Sequence, residues 1–243
     1  MNKTAIEWAD FSWNPIVGCR NGCPYCYARR LATTRLAHLC PQCGTFEPHL
    51  HEERLDQPRK MKRPALIFAD SMSDWWSDGV EWSWRWDAIQ EMAKSPQHRF
   101  VVLTKKPDCL TLADANWWPS NAWLGVSITS GADWWRWEAL AKLPSHIHKF
   151  VSVEPLLGPG VGTRLYGQPP LPEWVIAGPQ SGAGAVRVDA EWQQAIRNSC
   201  IERWHVALSP IPLFEKPGLP IHPPIRQMPA DLAGVFRKGG LTL

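Results

Sequence analysis

The sequence predicts an α/β fold, specifically a partial (β/α)6-type TIM barrel with a small metal-binding insertion. Three observations indicate this fold: short apolar segments recur along the chain, helix-forming segments lie between several of them, and a loop with three cysteines follows the first. Alternating strands and helices favour right-handed βαβ units and a parallel sheet. The chain has 243 residues, of which 44% are hydrophobic, so we expect one domain with one substantial core.

The predicted strands are short and mostly apolar, as expected of parallel strands that are buried on both faces. Segment 11–18, FSWNPIVG, is the first, and six more follow: ALIFAD (65–70), RFVVLTK (99–105), AWLGVSI (122–128), KFVSVEP (149–155), EWVIAG (173–178) and RWHVALS (203–209). Six or seven strands are fewer than the eight of a closed barrel. The barrel is therefore predicted to be open.

Helices are predicted over 82–95, 132–143 and 189–202, and Asp189 is the expected N-cap of the last. Segment 209–229 contains seven prolines, which exclude a helix and argue against a central strand. We call it the strap, and we expect it to cross the barrel or its open edge in an extended conformation.

Cysteine usage and hydropathy indicate a reducing compartment and metal binding. No run of 18 apolar residues occurs, and the N-terminus MNKTAIEWAD lacks the profile of a signal peptide, so we expect a cytoplasmic protein that does not associate with membranes. In such a compartment, seven cysteines are more consistent with metal ligands than with disulfides.

Charge and aromatic content bear on possible partners. Between Arg20 and Arg63, nine Lys or Arg residues stand against four Asp or Glu residues, a pattern compatible with an anionic partner or with a solvated loop. Sixteen tryptophans are present, which could stack on bases, although packing against helices is the interpretation we favour.

The segment GCRNGCPYCYA (18–28) places Cys19, Cys23 and Cys26 at gaps of three and two residues. We call residues 18–26 the cysteine loop. A zinc site would need further ligands, whereas three thiolates can hold a [4Fe–4S] cluster and leave one iron open to an outside ligand. The spacing CxxxCxxC, with an aromatic residue before the third cysteine, resembles the signature of radical S-adenosylmethionine enzymes.

The resemblance extends over most of the chain, from about Thr4 to Met228. The blocks IEWADFSWNPIVGC, LIFADSMSDWW, VVLTKKP, AWLGVSIT, FVSVEPLLGP, WVIAGPQSG and PPIRQMP resemble those of a short radical-SAM family common in phages and prophages. Many relatives have a longer first gap between cysteines and a Gly-Glu-Ser-Gly turn. Here the turn is Pro-Gln-Ser-Gly, which removes a carboxylate from the mouth of the barrel.

This resemblance implies a radical mechanism that begins at the cluster. The open iron would be chelated by S-adenosylmethionine, and one electron from an external flavodoxin-like or ferredoxin-like reductant would generate a 5′-deoxyadenosyl radical that abstracts hydrogen from a substrate. If the chain is phage-encoded, it would act in the host cytoplasm.

Polar residues at the ends of the predicted strands are candidates for binding the cofactor and the substrate, because function concentrates at that end of such barrels. Lys105 and Ser127 could hold the methionyl carboxylate, and Asp70 or Glu154 the ribose hydroxyls, with Tyr25 beside the adenine. Further candidates for cofactor or substrate binding are Ser71, Ser73, Asp74, Gln180 and Ser181.

A second metal site is predicted in segment 36–63, which we call the Cys/His segment. Cys40 and Cys43 form a CPxCG knuckle, and His49 and His51 could complete a tetrahedral zinc site. Cys109 is a competing ligand, and an auxiliary iron–sulfur cluster is the alternative to zinc. Basic residues that could guide an anionic substrate follow the histidines: Arg54, Arg59, Lys60, Lys62 and Arg63.

Three functions remain open at this point. The first is a radical-SAM enzyme that rearranges or modifies a nucleotide or a phage DNA base. The second is a radical-SAM enzyme that acts on a small metabolite or a peptide. The third is a non-catalytic, metal-stabilised module that binds nucleic acid through its tryptophans and basic segment.

Overall fold

The computed structural model describes residues 1–167, 170–182, 184–201 and 210–237. Its strands are β1 Asn2–Lys3, β2 Phe11–Trp13, β3 Ile16–Val17, β4 His49–Leu50, β5 Leu66–Ala69, β6 Arg99–Thr104, β7 Ala122–Ser127, β8 His148–Val153, β9 Trp174–Ala177 and β10 Leu213–Glu215. The α-helices are α1 Tyr27–Leu31, α2 Pro41–Thr45, α3 Gln57–Lys60, α4 Trp82–Ala93, α5 Leu112–Asn116, α6 Trp135–Leu140, α7 Val161–Leu165, α8 Ala190–Ile201 and α9 Ala230–Ala233.

Eight strands form one sheet in the order β1-β2-β5-β6-β7-β8-β9-β10. Every neighbouring pair is parallel except β1 with β2, which is antiparallel. The prediction of a mostly parallel α/β sheet is therefore confirmed. The strands of this sheet lie side by side in the order in which they occur in the chain, as expected of successive right-handed βαβ units.

The predicted first strand, 11–18, is wrong as a single element. Its first part is β2 in the main sheet, whereas its second part, β3, pairs with β4 in a separate antiparallel sheet. The chain bends at Pro15, which has no amide hydrogen to continue a ladder. After this break the chain pairs with the Cys/His segment through β3 and β4 and does not continue in the main sheet.

The strap contains a strand that the sequence did not predict. Strand β10 lies inside it and pairs in parallel with β9 at the edge of the sheet, where flanking prolines are tolerated. The predicted strand 203–209 lies outside the described residues. The extended conformation predicted for the strap is therefore correct for β10. This part of the strap is itself the edge strand of the sheet and does not cross over it.

The strands are buried on both faces, as their composition predicted. In β5, Ile67 and Ala69 pack into the layer between the sheet and its helices, and Leu66 and Phe68 pack on the opposite face. That opposite face is rich in aromatic side chains and is closed by Leu232 of α9. Nine of the tryptophans that the structure describes are buried, so packing is the main role of these residues.

The predicted helices are present with shifted bounds. Segment 82–95 is α4, which ends at Ala93, and segment 132–143 divides into a 3₁₀ turn, Gly131–Asp133, followed by α6. Segment 189–202 is α8, and the carboxylate of Asp189 accepts from the backbone N–H of Glu191 at 2.8 Å, as a cap should. In the described part of the chain, no helix has the length and apolar character needed to cross a membrane.

Candidate functional site

A cavity of about 990 Å³ lies at the carboxyl ends of the parallel strands. Because these ends share one edge of the sheet, residues that are far apart in sequence meet there. All of the residues that the sequence singled out for the cluster, the cofactor or the substrate line this cavity: Cys19, Cys23, Cys26, Tyr25, Asp70, Ser71, Ser73, Asp74, Lys105, Ser127, Glu154, Gln180 and Ser181.

The three cysteines of the loop are half-buried free thiols that face the same cavity. The sulfur of Cys26 caps α1 by accepting from the backbone N–H of Arg29 at 3.3 Å. The sulfur of Cys19 accepts from the N–H of Asn21 at 3.4 Å. Backbone donors to sulfur favour the thiolate. Burial nevertheless raises the pKa of the Cys19 thiol above its ordinary value, so deprotonation of this ligand would depend on binding of the metal.

The cysteine loop is fixed against the Cys/His segment. Gly18 has a φ of +95°, and a Cβ at this position would lie 2.2 Å from the carbonyl oxygen of Glu47. The backbone N–H of Cys19 donates to the carbonyl of Phe46 at 3.1 Å. A glycine is therefore required before the first cysteine, because any side chain would push the two segments apart.

Asp70 is strained and incompletely paired. It has a φ of +74°, is 2% exposed, and lies at the end of β5. Its Oδ1 accepts from the N–H of Leu103 at 3.3 Å, but Oδ2 is buried without a hydrogen-bond partner among the described residues. Burial, followed by repulsion from Asp74, raises its pKa well above the ordinary value. Such a combination of strain and an unpaired buried oxygen is typical of functional sites.

Two more buried oxygens in the cavity wall are unpaired within the described residues, namely Ser73 Oγ and Asn21 Oδ1. Lys105, after β6, contributes an ammonium group for which the described part of the chain provides no hydrogen-bond partner. Ser127 is buried at the last position of β7. The cavity wall thus offers donors and acceptors that the fold itself does not use.

Asp74 is engaged by the protein, in contrast to its expected role towards a ligand. Its Oδ1 accepts from Thr104 Oγ1 at 2.8 Å and from the N–H of Trp76 at 3.2 Å. Its Oδ2 accepts from the N–H of Lys105 at 2.8 Å and from Asn21 Nδ2 at 2.7 Å. These four hydrogen bonds tie β5, β6 and the cysteine loop together.

The hydroxyl of Ser71 is also committed, because it exchanges hydrogen bonds of about 3 Å with the side-chain amide of Asn14. The carbonyl of Ser71 accepts from the hydroxyl of Tyr27 at 2.6 Å. Ser71 therefore joins the end of β2, the start of α1 and the loop after β5. Its contacts are those of a positioning residue.

Glu154 belongs to a charged network on the opposite wall. Its Oε1 pairs with Lys216 Nζ at 3.0 Å, and its Oε2 accepts from Trp8 Nε1 and Ser152 Oγ, both at 3.2 Å. Although burial lowers the pKa of Lys216, Glu154 and Glu7 raise it above its ordinary value overall. The network joins the end of β8 to the end of β10.

The turn after β9 brings two candidates to the rim. Gln180 is half-buried, and its Oε1 accepts from the N–H of Val186 at 3.2 Å, whereas Ser181 is exposed. Both line the cavity and are more exposed than Asp70.

Sequence reasoning missed several residues of the wall: Trp8, Asn14, Asn21, Ser152 and Lys216. Lys216 follows β10, so its place could not be found without that strand. The position of Asn21 between two cysteines was a usable signal, because a polar side chain there must lie beside the loop's own ligands.

The predicted zinc ligands are close together. The ligand atoms of Cys40, Cys43, His49 and His51 lie within 4.8 Å of one another, and the Cys43 sulfur is 3.3 Å from His51 Nε2. The sulfurs of Cys40 and Cys43 are in disulfide contact. The group does not include Cys109, which is exposed on the turn Pro107–Cys109, so Cys109 was wrong as a competing ligand.

The basic residues after the histidines are largely paired within the chain. Arg59 contacts Glu91 at 3.4 Å, Lys60 contacts Asp56 at 2.8 Å, and Arg54 contacts Glu53 at 3.5 Å. Their charges are therefore partly neutralised, and the prediction that they guide an anionic substrate loses much of its basis.

Comparisons with solved structures show what this fold resembles. Two structures of spore photoproduct lyase mutants match with TM-scores of 0.53 and 0.52, at 14% and 15% identity, and one holds bound AdoMet and dinucleoside spore photoproduct. The matches cover 82% of this chain and 62% of the lyase chain, so the chain spans less than two thirds of that protein's length. They establish a similar fold.

Comparisons of sequence give one family. No curated protein matches the chain. The model of the family described as "Protein of unknown function (DUF5131)" matches residues 3–207, which is most of the sequence. The chain therefore belongs to the DUF5131 family.

Proposed function

We propose that this protein is a radical S-adenosylmethionine enzyme whose [4Fe–4S] cluster is held by Cys19, Cys23 and Cys26. The observation that carries the proposal is the shared cavity: three free thiols from one short loop face the strand ends of a parallel sheet, where buried polar atoms are unpaired. The likeness of the fold to spore photoproduct lyase, one structure of which holds AdoMet, supports it.

The residues of the cavity fit both groups chemically. Three thiols are the donor set of a cluster that keeps one iron for an outside ligand. The cavity, at about 990 Å³, is large enough for a molecule of nucleoside size together with part of a substrate. When bound, the cluster and S-adenosylmethionine would supply a 5′-deoxyadenosyl radical for hydrogen abstraction.

The chain's own residues would bind and orient the cofactor. Lys105, whose ammonium has no hydrogen-bond partner in the described part of the chain, would neutralise the methionyl carboxylate, with Ser127 as a further donor. Asp70 Oδ2 and Ser73 Oγ would bond to ribose hydroxyls and satisfy two buried oxygens. Tyr25 would flank the adenine. Glu154, bound to Lys216, would shape the wall opposite.

We expect the sheet to curve as a partial barrel and, together with the strap, to exclude water from this chemistry. An external flavodoxin-like or ferredoxin-like protein would supply the electron. We propose a nucleotide or DNA base as the substrate, and the dinucleoside bound in the lyase structure supports this class. A small metabolite or a peptide is the second candidate class of substrate, but no specific observation favours it.

We further propose that Cys40, Cys43, His49 and His51 bind zinc. Both histidines have Nδ1 engaged, His49 with the carbonyl of Glu47 and His51 with the carboxylate of Glu53, each at 2.8 Å. This leaves both Nε2 atoms, 3.1 Å apart, facing the two sulfurs. Histidines that bind a metal usually donate a hydrogen bond through the other ring nitrogen, which fixes the orientation of the imidazole. A disulfide is the alternative state of the two sulfurs.

Anaerobic reconstitution with iron and sulfide tests the enzymatic proposal. We expect about four irons per chain and formation of 5′-deoxyadenosine from S-adenosylmethionine under reductant. The variant C23A should lose both, whereas C109A, which removes an exposed cysteine outside the cavity, should retain both. A C23A protein that forms 5′-deoxyadenosine at the wild-type rate would refute the assignment of Cys23 to the cluster. A reconstituted wild-type protein that forms none would favour the non-catalytic binding module.

A further inference from the structure

A second cavity, of about 570 Å³, adjoins the first. Tyr27, Leu31 and Ser181 line both, so the two spaces are continuous at the rim. We call the second one the arginine groove, because Arg30 and Arg35 form its wall together with Thr34 and Gly182. A molecule with its reacting part in the main cavity could therefore extend into this groove.

The groove is built by one face of a single helical segment. Tyr27, Arg30, Leu31, Thr34 and Arg35 have the spacing of successive helical turns, and they lie on α1 and on the π-helix Ala32–Leu36 that continues it. This helix begins directly after Cys26, its cap. At 1.5 Å per residue, Arg30 lies about 6 Å and Arg35 about 14 Å along the helix from Cys26.

The charge of the groove is not compensated within the described residues. Neither Arg30 nor Arg35 forms an ion pair there, and none of the described residues that line the groove is acidic. Arg29, by contrast, is committed, because it donates to the carbonyl of Cys19 at 3.1 Å and lies over the ring of Phe46. The groove thus presents two available guanidinium groups at the edge of the active-site cavity.

Arg30 lies beside the turn after β9. Gly182 has a φ of +97°, and a Cβ at this position would lie 2.4 Å from the Arg30 guanidinium. The absence of a side chain at Gly182 therefore leaves room for the guanidinium at the groove wall. A guanidinium suits bidentate contact with phosphate oxygens.

We propose that the arginine groove binds the phosphate ester of a nucleotide substrate while the base or sugar enters the main cavity beside the cysteine loop. The placement of the base or sugar in the main cavity rests on the proposed function. The affinity of the groove for phosphate does not depend on radical chemistry. A free mononucleotide carries a phosphomonoester and a single-stranded polynucleotide carries phosphodiesters. Both present phosphate oxygens to a guanidinium, and a polynucleotide would engage both arginines.

Equilibrium dialysis of the reconstituted full-length protein, without reductant, tests this site. The ligands are a pool of the four deoxynucleoside 5′-monophosphates, the matching pool of nucleosides, and a random-sequence 12-nucleotide single-stranded DNA. The variants are R30Q, R35Q and the double variant. R164Q is the matched control, because Arg164 is exposed on α7 and lines neither cavity.

We expect the monophosphates or the DNA to bind more tightly than the nucleosides, and R30Q to weaken phosphate binding about tenfold while R164Q has no effect. If the DNA binds and both arginines contact phosphates, the double variant should reduce the slope of log K against log salt by about 1.4. Equal affinity of nucleosides and nucleotides, or unchanged binding by the double variant, would overturn the proposal. Formation of 5′-deoxyadenosine from S-adenosylmethionine in the absence of substrate is measured separately. That measurement tests the proposed function and is independent of phosphate binding by the groove.

Discussion

The side-chain amide of Asn21 donates a hydrogen bond of 2.7 Å to Oδ2 of Asp74, and this contact fastens the cysteine loop to the loop after β5. The same carboxylate binds Thr104 and the backbone of Lys105 at the end of β6. Asp74 is therefore the point where the cysteine loop and two strand ends meet. Its role is to position the cysteines relative to Lys105 across the cavity.

Replacement of Asp74 by alanine should disorganise the cysteine loop. The variant loses a buried acceptor of four hydrogen bonds, so we expect the free energy of unfolding to fall by about 2–4 kcal/mol. Iron loading should fall with it. Urea denaturation and iron analysis measure the two effects, with D78A at an exposed neighbouring position as the control. Wild-type iron loading in D74A would contradict this role.

Asp70 should make stability depend on pH. Burial and the nearby Asp74 raise its pKa in the folded protein, so the folded state binds this proton more tightly than the unfolded chain does. The free energy of unfolding should therefore fall as the pH rises from the ordinary carboxyl pKa of about 4 towards the raised value. Protonation of Asp70 at lower pH should restore the free energy of unfolding.

The variant D70N isolates this effect, because asparagine tolerates the left-handed backbone at this position and cannot ionise. In the iron-free protein, D70N should be more stable than the wild type at pH 8, by a margin that narrows towards pH 4. Denaturation curves across that range measure the margin. A margin that is constant with pH would show that Asp70 is not the titrating group.

The Cys/His segment should contain about one zinc per chain, the number that four ligands can hold. H51A should lose it, with a fall of about 5 °C in the thermal midpoint, equivalent to about 2 kcal/mol in a chain of this size. Iron loading should also decrease, since Phe46 beside this site accepts from the N–H of Cys19. C109S is the control. Zinc content that H51A leaves unchanged, or a zinc-free protein with a Cys40–Cys43 disulfide, would contradict the zinc proposal.

The strand ends were predictable because each carries a local signal. Asp70, Lys105, Ser127 and Glu154 each end or follow a short apolar run, and parallel strands bring such positions to one edge. For the same reason, the sequence alone was sufficient to predict that the cysteines and these residues lie close together. Spacing alone also paired Cys40 and Cys43 with His49 and His51.

What the sequence could not predict depends on contacts between distant segments. Asp74 looked like a ligand-binding residue because nothing local shows that Asn21 and Thr104 occupy its oxygens. Lys216 was not predicted as part of the site, because the prolines around β10 argued against a strand there. The availability of Arg30 and the neutralisation of Arg59 by Glu91 likewise follow from tertiary packing, which residue spacing does not encode.

The central claim is that the three cysteines leave one iron of the cluster open to S-adenosylmethionine. Electron paramagnetic resonance of the reduced, reconstituted protein tests this most directly, recorded with and without S-adenosylmethionine isotopically labelled at its amino nitrogen. We expect that adding S-adenosylmethionine changes the spectrum and that the labelled nitrogen shows hyperfine coupling to the cluster. An unchanged spectrum without coupling, from a protein that carries the full iron content, would contradict it.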